Sequence, residues 1–309
     1  MDVKINFVDK IAIGATLTSS TVIEGIVRFS ERLASPDGAL VKPVPVINLI
    51  NPANIINSHT FWEMELELDS DNLTAIRNQI VTNGSSTTRV LRDNDENDRV
   101  DYFTVNSVNT SCDVVSYVYD TQKVWLSSAG GGVSNRPGTA RNTSVYKFLC
   151  TGARTIGSTV IAGTQTGDER YTGIVRVELE PGNSATNILD YNWGLVGPDG
   201  GDMVSPRFTP NTYAPVGTVE FSGKHWVLSF TFDTYTTLFN SYIAQTSGQV
   251  MIPQAVNVYL SKSDGTTRVH TYQSGTCWVR GFAPSNVTEK DTYHPGVVEL
   301  VCIGSRADS

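Results

Sequence analysis

The chain has 309 residues, room for two domains of about 150 residues, each large enough to bury a core without disulfides or a structural metal. Apolar residues make up 39% of it and charged residues only 17%, a balance that suits strands and turns better than long helices. A net charge of −8 and a sequence pI near 5.0 argue against a protein that wraps nucleic acid by neutralising phosphates.

The first twenty residues, MDVKINFVDKIAIGATLTSS, lack a basic segment followed by an unbroken apolar run. No stretch of 18 apolar residues occurs anywhere, so neither a signal peptide nor a membrane span is expected. Residues 1–20 read as an N-terminal arm. At 61–68 the sequence FWEMELEL alternates with period two, predicting a strand with Trp62, Met64, Leu66 and Leu68 inward and Glu63, Glu65 and Glu67 outward. Asp69 or Ser70 offers a side-chain cap, and Leu73, Ile76 and Ile80 make the apolar stripe of a short helix that must pack on the sheet to persist. A hairpin follows, with TTRVLR and RVDYFTV flanking the acidic tip DNDEND, and then a further strand, DVVSYVYD. The half closes with a Trp-bearing strand, a Gly-rich loop and SVYKFLCTG.

The second half repeats the order. HWVLSFTF, Asp233 and TYTTLFNSYIAQ read as strand, cap and helix. AVNVYLSKSDGTTRVHTY reads as a hairpin turning at Asp264-Gly265, and VVELVCIG as the final strand. Anchors recur in sequence: Ile13-Gly14-Ala15-Thr16 with Ile156-Gly157-Ser158-Thr159, Gly25-Ile26-Val27-Arg28 with Gly173-Ile174-Val175-Arg176, and Pro36-Asp37-Gly38 with Pro198-Asp199-Gly200. After these come Trp62–Asp69 with Trp226–Asp233, Val124-Trp125 with Cys277-Trp278, and Cys150-x-Gly152-x-Arg154 with Cys302-x-Gly304-x-Arg306. An ordered set of this kind favours duplication over shared strand grammar. The expected fold is α+β, mostly antiparallel β: two tandem, duplicated sandwich or barrel domains, 1–154 and 155–309, each with one helix packed on its sheet.

Strand, acidic cap, single helix, hairpin, then a strand such as CWVRGFAPS and a terminal VVELVCIG resemble the tail-tube domain of long-tailed bacterial and archaeal viruses, a fold shared with distal-tail and baseplate-hub proteins. The resemblance implies a structural virion protein, assembled in the host cytoplasm, that forms stacked rings around a DNA-conducting lumen. A fused pair of domains fits a trimer with pseudo-six-fold symmetry. It implies as partners the chain itself, other tail proteins such as the tape measure protein, and DNA that passes without specific binding. No membrane, cofactor or enzymatic activity is implied. A distal-tail or adaptor ring, and a two-domain carbohydrate-binding adhesin with tryptophans stacked on sugars, are the alternatives.

Residues that could carry chemistry are few. Glu63, Glu65 and Glu67 are about 6.6–7 Å apart along one strand face, a spacing that overlaps the carboxylate pair of an inverting glycosidase. The row is open and nothing in it separates an acid from a base, so a solvated face or an acidic lumen lining that repels DNA is the better reading. Asp93, Asn94, Asp95, Glu96, Asn97 and Asp98 start like a calcium loop. Asp98 stands where the EF-hand glycine belongs and Thr104 where its glutamate belongs, which excludes an EF-hand and leaves a solvated turn or a looser calcium site; the tail-tube resemblance implies a hairpin tip that reaches a neighbouring ring. Cys112, Cys150, Cys277 and Cys302 form no CxxC and read as free thiols, with one disulfide per half as the alternative. His59, His225, His270 and His294 show no metal-binding spacing. Trp193, in NSATNILDYNWGLVG, has no partner in the first half and is expected on an exposed loop as an inter-subunit contact.

Overall fold

A computed structural model describes residues 7–34, 61–79, 99–109, 111–137, 143–150, 152–162, 169–179, 183–196, 202–204, 219–221, 225–233, 255–284, 296–302 and 304–309. The chain divides into two compact units. The first comprises residues 1–68, 72–127 and 145–168, and the second residues 69–71, 128–144 and 169–309. Each is a mostly antiparallel β sandwich, as the alternating patterns require, and the described helix is a single short one.

The first unit runs β1 (Phe7–Gly14), β2 (Ser20–Ile23), β3 (Ile26–Ala34), β4 (Phe61–Leu68), α1 (Leu73–Asn78), β5 (Arg99–Val100), β6 (Tyr102–Val108), β7 (Val114–Tyr119), β8 (Val124–Ser134, which belongs to the second unit from Ser128 on), β9 (Ser144–Cys150) and β10 (Arg154–Gly157). One sheet has the order β10-β7-β6-β1-β2, and the other reads β3-β4-β9-β8 with β5 beside β8. The sheets meet through aromatic rings: Phe103 on β6 is 4.9 Å from Phe148 on β9 and 5.4 Å from Tyr119 on β7. On β4, Met64, Leu66 and Leu68 are buried as the period-two pattern predicts.

Helix α1 buries Leu73, Ala75 and Ile76, while Ile80 lies outside the described residues. Its cap position is Asn72 rather than Asp69 or Ser70, and the Asn72 backbone N–H donates to the Tyr146 hydroxyl (2.9 Å). Ser70 and Asp71 are used otherwise, within the second unit. The pairing of β6 also departs from expectation. Its two neighbours are β1 and β7, so β6 forms its hairpin with DVVSYVYD, while TTRVLR lies outside the described residues.

The second unit runs β11 (Tyr171–Leu179), β12 (Asn183–Ala185), β13 (Ile188–Val196), β14 (Asp202–Val204), β15 (Val219–Phe221), β16 (His225–Phe232), β17 (Val256–Lys262), β18 (Thr267–Tyr272), β19 (Cys277–Pro284), β20 (Gly296–Cys302) and β21 (Arg306–Asp308). One sheet has the order β12-β11-β17-β18-β21. The other reads β19-β20-β16-β13, and residues 129–134 of β8 pair with β13. The β17–β18 turn is the Asp264-Gly265 turn read from the sequence: Gly265 takes φ +83°, a conformation natural to glycine, and Asp264 Oδ1 accepts the Thr266 N–H (2.9 Å). The segment expected to form the second helix lies outside the described residues.

Read in chain order, the two units place their strands alike. β1, β2, β6, β7 and β10 hold the same places as β11, β12, β17, β18 and β21, and β3, β4, β9 and β8 the same as β13, β16, β20 and β19. Three sequence anchors fall on matching strands: Trp62–Asp69 with Trp226–Asp233, Val124-Trp125 with Cys277-Trp278, and the Cys-x-Gly-x-Arg pair. Two do not. Gly25–Arg28 leads into β3 whereas Gly173–Arg176 lies in β11, which belongs to the other kind of sheet, and Ile13-Gly14 ends β1 whereas Ile156-Gly157 ends β10. Short Gly-Ile-Val runs recur because strands demand them, wherever the strand sits. The boundary expected between 154 and 155 falls inside β10, whose pairing of Arg154–Gly157 with Tyr119–Ser116 completes the first sheet.

Candidate functional site

On β4 the three glutamates project outward, but none stands alone. Across the β3–β4 ladder Arg28 bonds Glu65 and Glu67, and Arg32 bonds Glu63. From β9 Lys147 reaches Glu65 at 3.4 Å. Three carboxylates therefore face three cations, and the expected acidic row is a neutral ladder. Because pairs this exposed are well solvated, each contributes no more than about 1 kcal/mol. A groove of about 320 Å³ runs along this face beside Arg32, Glu63, Glu65 and Lys147. No signal within FWEMELEL reveals the cations, since they come from strands distant in sequence. Asp93–Asp98 lie outside the described residues.

Trp193 is not on an exposed loop. It sits in β13 with 4% of its surface accessible, because β13 alternates like any sandwich strand and Trp193 falls on the inward phase. Its ring lies on the glycine run of β8: a Cβ on Gly131 would approach Trp193 Cζ2 to 2.5 Å. Trp226 packs beside it at 6.2 Å.

Against these tryptophans lies the main polar feature of the second unit, which sequence reasoning missed. The Arg306 side chain is fully buried, with its guanidinium 4.7 Å from the Trp193 ring and 5.5 Å from that of Trp226. Its Nη2 donates to Asp71 Oδ2 (3.1 Å) and Asp308 Oδ2 (2.8 Å) and lies 3.2 Å from His270 Nε2, and its Nε donates to Asp308 Oδ1 (2.6 Å). Burial pulls the guanidinium toward its neutral form, but Asp71, Tyr272 and Asp308 outweigh that and hold its pKa above the usual value.

His270, also fully buried, has Nε2 facing the Arg306 donor and Tyr171 Oη (2.9 Å), and Nδ1 facing Tyr191 Oη (3.2 Å). Nε2 therefore accepts and Nδ1 carries the proton. Burial, reinforced by Arg306, lowers the His270 pKa well below 6.5, so the ring is neutral. Tyr191 bonds Tyr272 (2.6 Å), and burial raises both phenols above their ordinary pKa. Glu169 is bridged to Asp71 by paired backbone hydrogen bonds and is held by Arg268. Residues 69–71, 169–171, 270 and 306–308 are thereby tied into one body.

The first unit carries a counterpart. Arg154 pairs with Glu31 and lies 4.6 Å from the Trp62 ring and 4.8 Å from Tyr117, and the Tyr119 hydroxyl also donates to Glu31. The registers correspond: Arg154 opposes Tyr119 as Arg306 opposes Tyr272, and Ile156 opposes Tyr117 as Asp308 opposes His270. The only hint in the sequence was Cys-x-Gly-x-Arg at the end of each half. In both units the arrangement can clamp a final strand onto the tryptophan strand of the facing sheet by a cation–π contact.

His225 is buried at the start of β16, and no group of three metal-ligating residues occurs among the described residues. The four cysteines are free, and no helix among the described residues is long and apolar enough to cross a membrane. In comparisons with known proteins, no family model matches this chain and no curated protein is significantly similar to it.

Proposed function

We propose that this chain is a structural subunit of a viral tail tube, assembling as a trimer whose two duplicated units give a ring with pseudo-six-fold symmetry. The observation that carries the reading is the identical order of strands in both sheets of the two units, with an arginine set on a tryptophan at corresponding register in each. A chain bearing two like modules supplies two like interfaces, and head-to-tail contacts between such modules close into rings when the rotation allows. The resemblance in element order to tail-tube domains supplies the rest.

The neutral ladder on β3, β4 and β9 alters how a bore would work. A lumen walled by Glu63, Glu65 and Glu67 would escape phosphate binding by engaging its cations in pairs, not by net negative charge. The adhesin reading is weakened by burial: Trp193 and Trp226 are enclosed, and Trp62 lies under Arg154.

Negative-stain microscopy of the purified protein over a range of concentrations tests the proposal. Rings built from three chains, or tubes of stacked rings, are expected. A monomer at every concentration would refute it, and single rings that never stack would favour the distal-tail or adaptor alternative. Deleting residues 94–97 is expected to leave soluble protomers and block stacking.

A further inference from the structure

Cys277 opens β19 and Cys302 closes β20, and the ladder sets them directly opposite one another. Both are completely buried. Cys277 Sγ donates to the Gln273 carbonyl at 3.8 Å. Residues directly opposite in an antiparallel pair have Cα atoms about 4.5–5.5 Å apart, inside the window of about 4.4–6.8 Å that a disulfide spans. The first unit offers the contrast: Cys150 matches Cys302, but Val124 stands where Cys277 would be.

We propose that Cys277 and Cys302 are a disulfide-forming pair, a modification site that staples β19 to β20 when the protein meets an oxidising thiol–disulfide environment. The oxidant is a low-molecular-weight disulfide. The Cys277 thiolate attacks one of its sulfurs and expels a thiolate, and the Cys302 thiolate then attacks Cys277 sulfur and expels the second. One protein S–S bond forms, the small disulfide takes up two electrons, and the two protons end on its thiols.

Access comes from the edge of the sheet. Among the described residues β19 pairs only with β20, so local opening exposes the pair without unfolding the unit. Burial, with Cys277 as its neighbour, pushes Cys302 above its ordinary pKa, so thiolate forms mainly in that opened state and the closure is slow. On the tail-tube reading, the pair would stay reduced during assembly in a reducing cytoplasm and close after release. The chemistry itself does not depend on that reading.

The native chain, incubated with oxidised glutathione, is unfolded in an alkylating agent and analysed by intact mass and peptide mapping. Expected are the loss of two alkylatable thiols, one peptide linking Cys277 to Cys302, and a melting temperature several degrees higher that reverts with reductant. C277V, which installs the residue of the first unit, should abolish the link and the shift. Four alkylated thiols after prolonged incubation, stable glutathione adducts on either cysteine, or links through Cys112 or Cys150 instead would overturn the proposal. The result on the unaltered chain stands even if C277V fails to fold, and it is read independently of whether rings form.

Discussion

Arg154 and Arg306 stand at the same register of the same edge strand in their respective units, each lying on a tryptophan of the facing sheet, yet they are neutralised differently. In the first unit the carboxylate comes from the facing sheet itself: Glu31 of β3 pairs with Arg154, whose side chain retains 18% exposure. In the second, the position matching Glu31 is Trp193, and the charges come from Asp308 on the arginine's own strand and from Asp71, far away in sequence. With an indole at that position, the arginine of the second unit is completely buried. A fully buried cation costs several kcal/mol unless it is paired, so the second unit required carboxylates from elsewhere. The short segment 69–71 therefore belongs to the second unit, although the strand before it and the helix after it belong to the first.

That difference can be broken from either side. The largest effect is expected from Arg306→Met, which leaves the buried Asp71 and Asp308 carboxylates without their cation and costs about 3–5 kcal/mol. Arg154→Met removes a charged hydrogen bond at a partly solvated site and should cost about 1.5–3 kcal/mol. Urea denaturation of each variant measures the gap, and equal losses would contradict the distinction. Gly131→Ala forces a methyl group into the Trp193 ring and is expected to cost about 1–3 kcal/mol. The loss should appear in the unfolding of the second unit and spare the first.

The pH dependence sharpens the contrast further, since the place of His270 is taken by Tyr117 in the first unit. Its folded pKa lies below the unfolded value of 6.5. Between those two values the unfolded chain binds a proton that the native state excludes, so this contribution is complete above about pH 6.5 and is lost as pH falls toward the folded pKa. The slope approaches about 1.4 kcal/mol per pH unit. Melting curves between pH 7.5 and 5 should show it in the wild type, and His270→Gln should flatten it. The smallest effect belongs to the surface ladder: Glu63→Gln should change stability by less than about 1 kcal/mol, with a melting temperature near that of the wild type.

Period-two alternation in FWEMELEL and HWVLSFTF located β4 and β16 and their inward faces, and Asp264-Gly265 located a turn, because strand phase and turn chemistry are local properties of the chain. The repeated Cys-x-Gly-x-Arg marked the two arginines without disclosing their role. The sequence misled where position depended on partners. Gly-Ile-Val-Arg occurs in strands of different sheets, Trp193 is enclosed and not displayed, and three outward glutamates meet cations from β3 and β9.

What the sequence alone determined is the alternation, the turns and the mostly antiparallel class, all set by neighbours within a few residues. Tertiary structure decided which strands lie side by side, which charges cancel, and that Asp71 serves Arg306. Pairing and burial join residues far apart along the chain, and no local pattern encodes the partner that a buried charge will find.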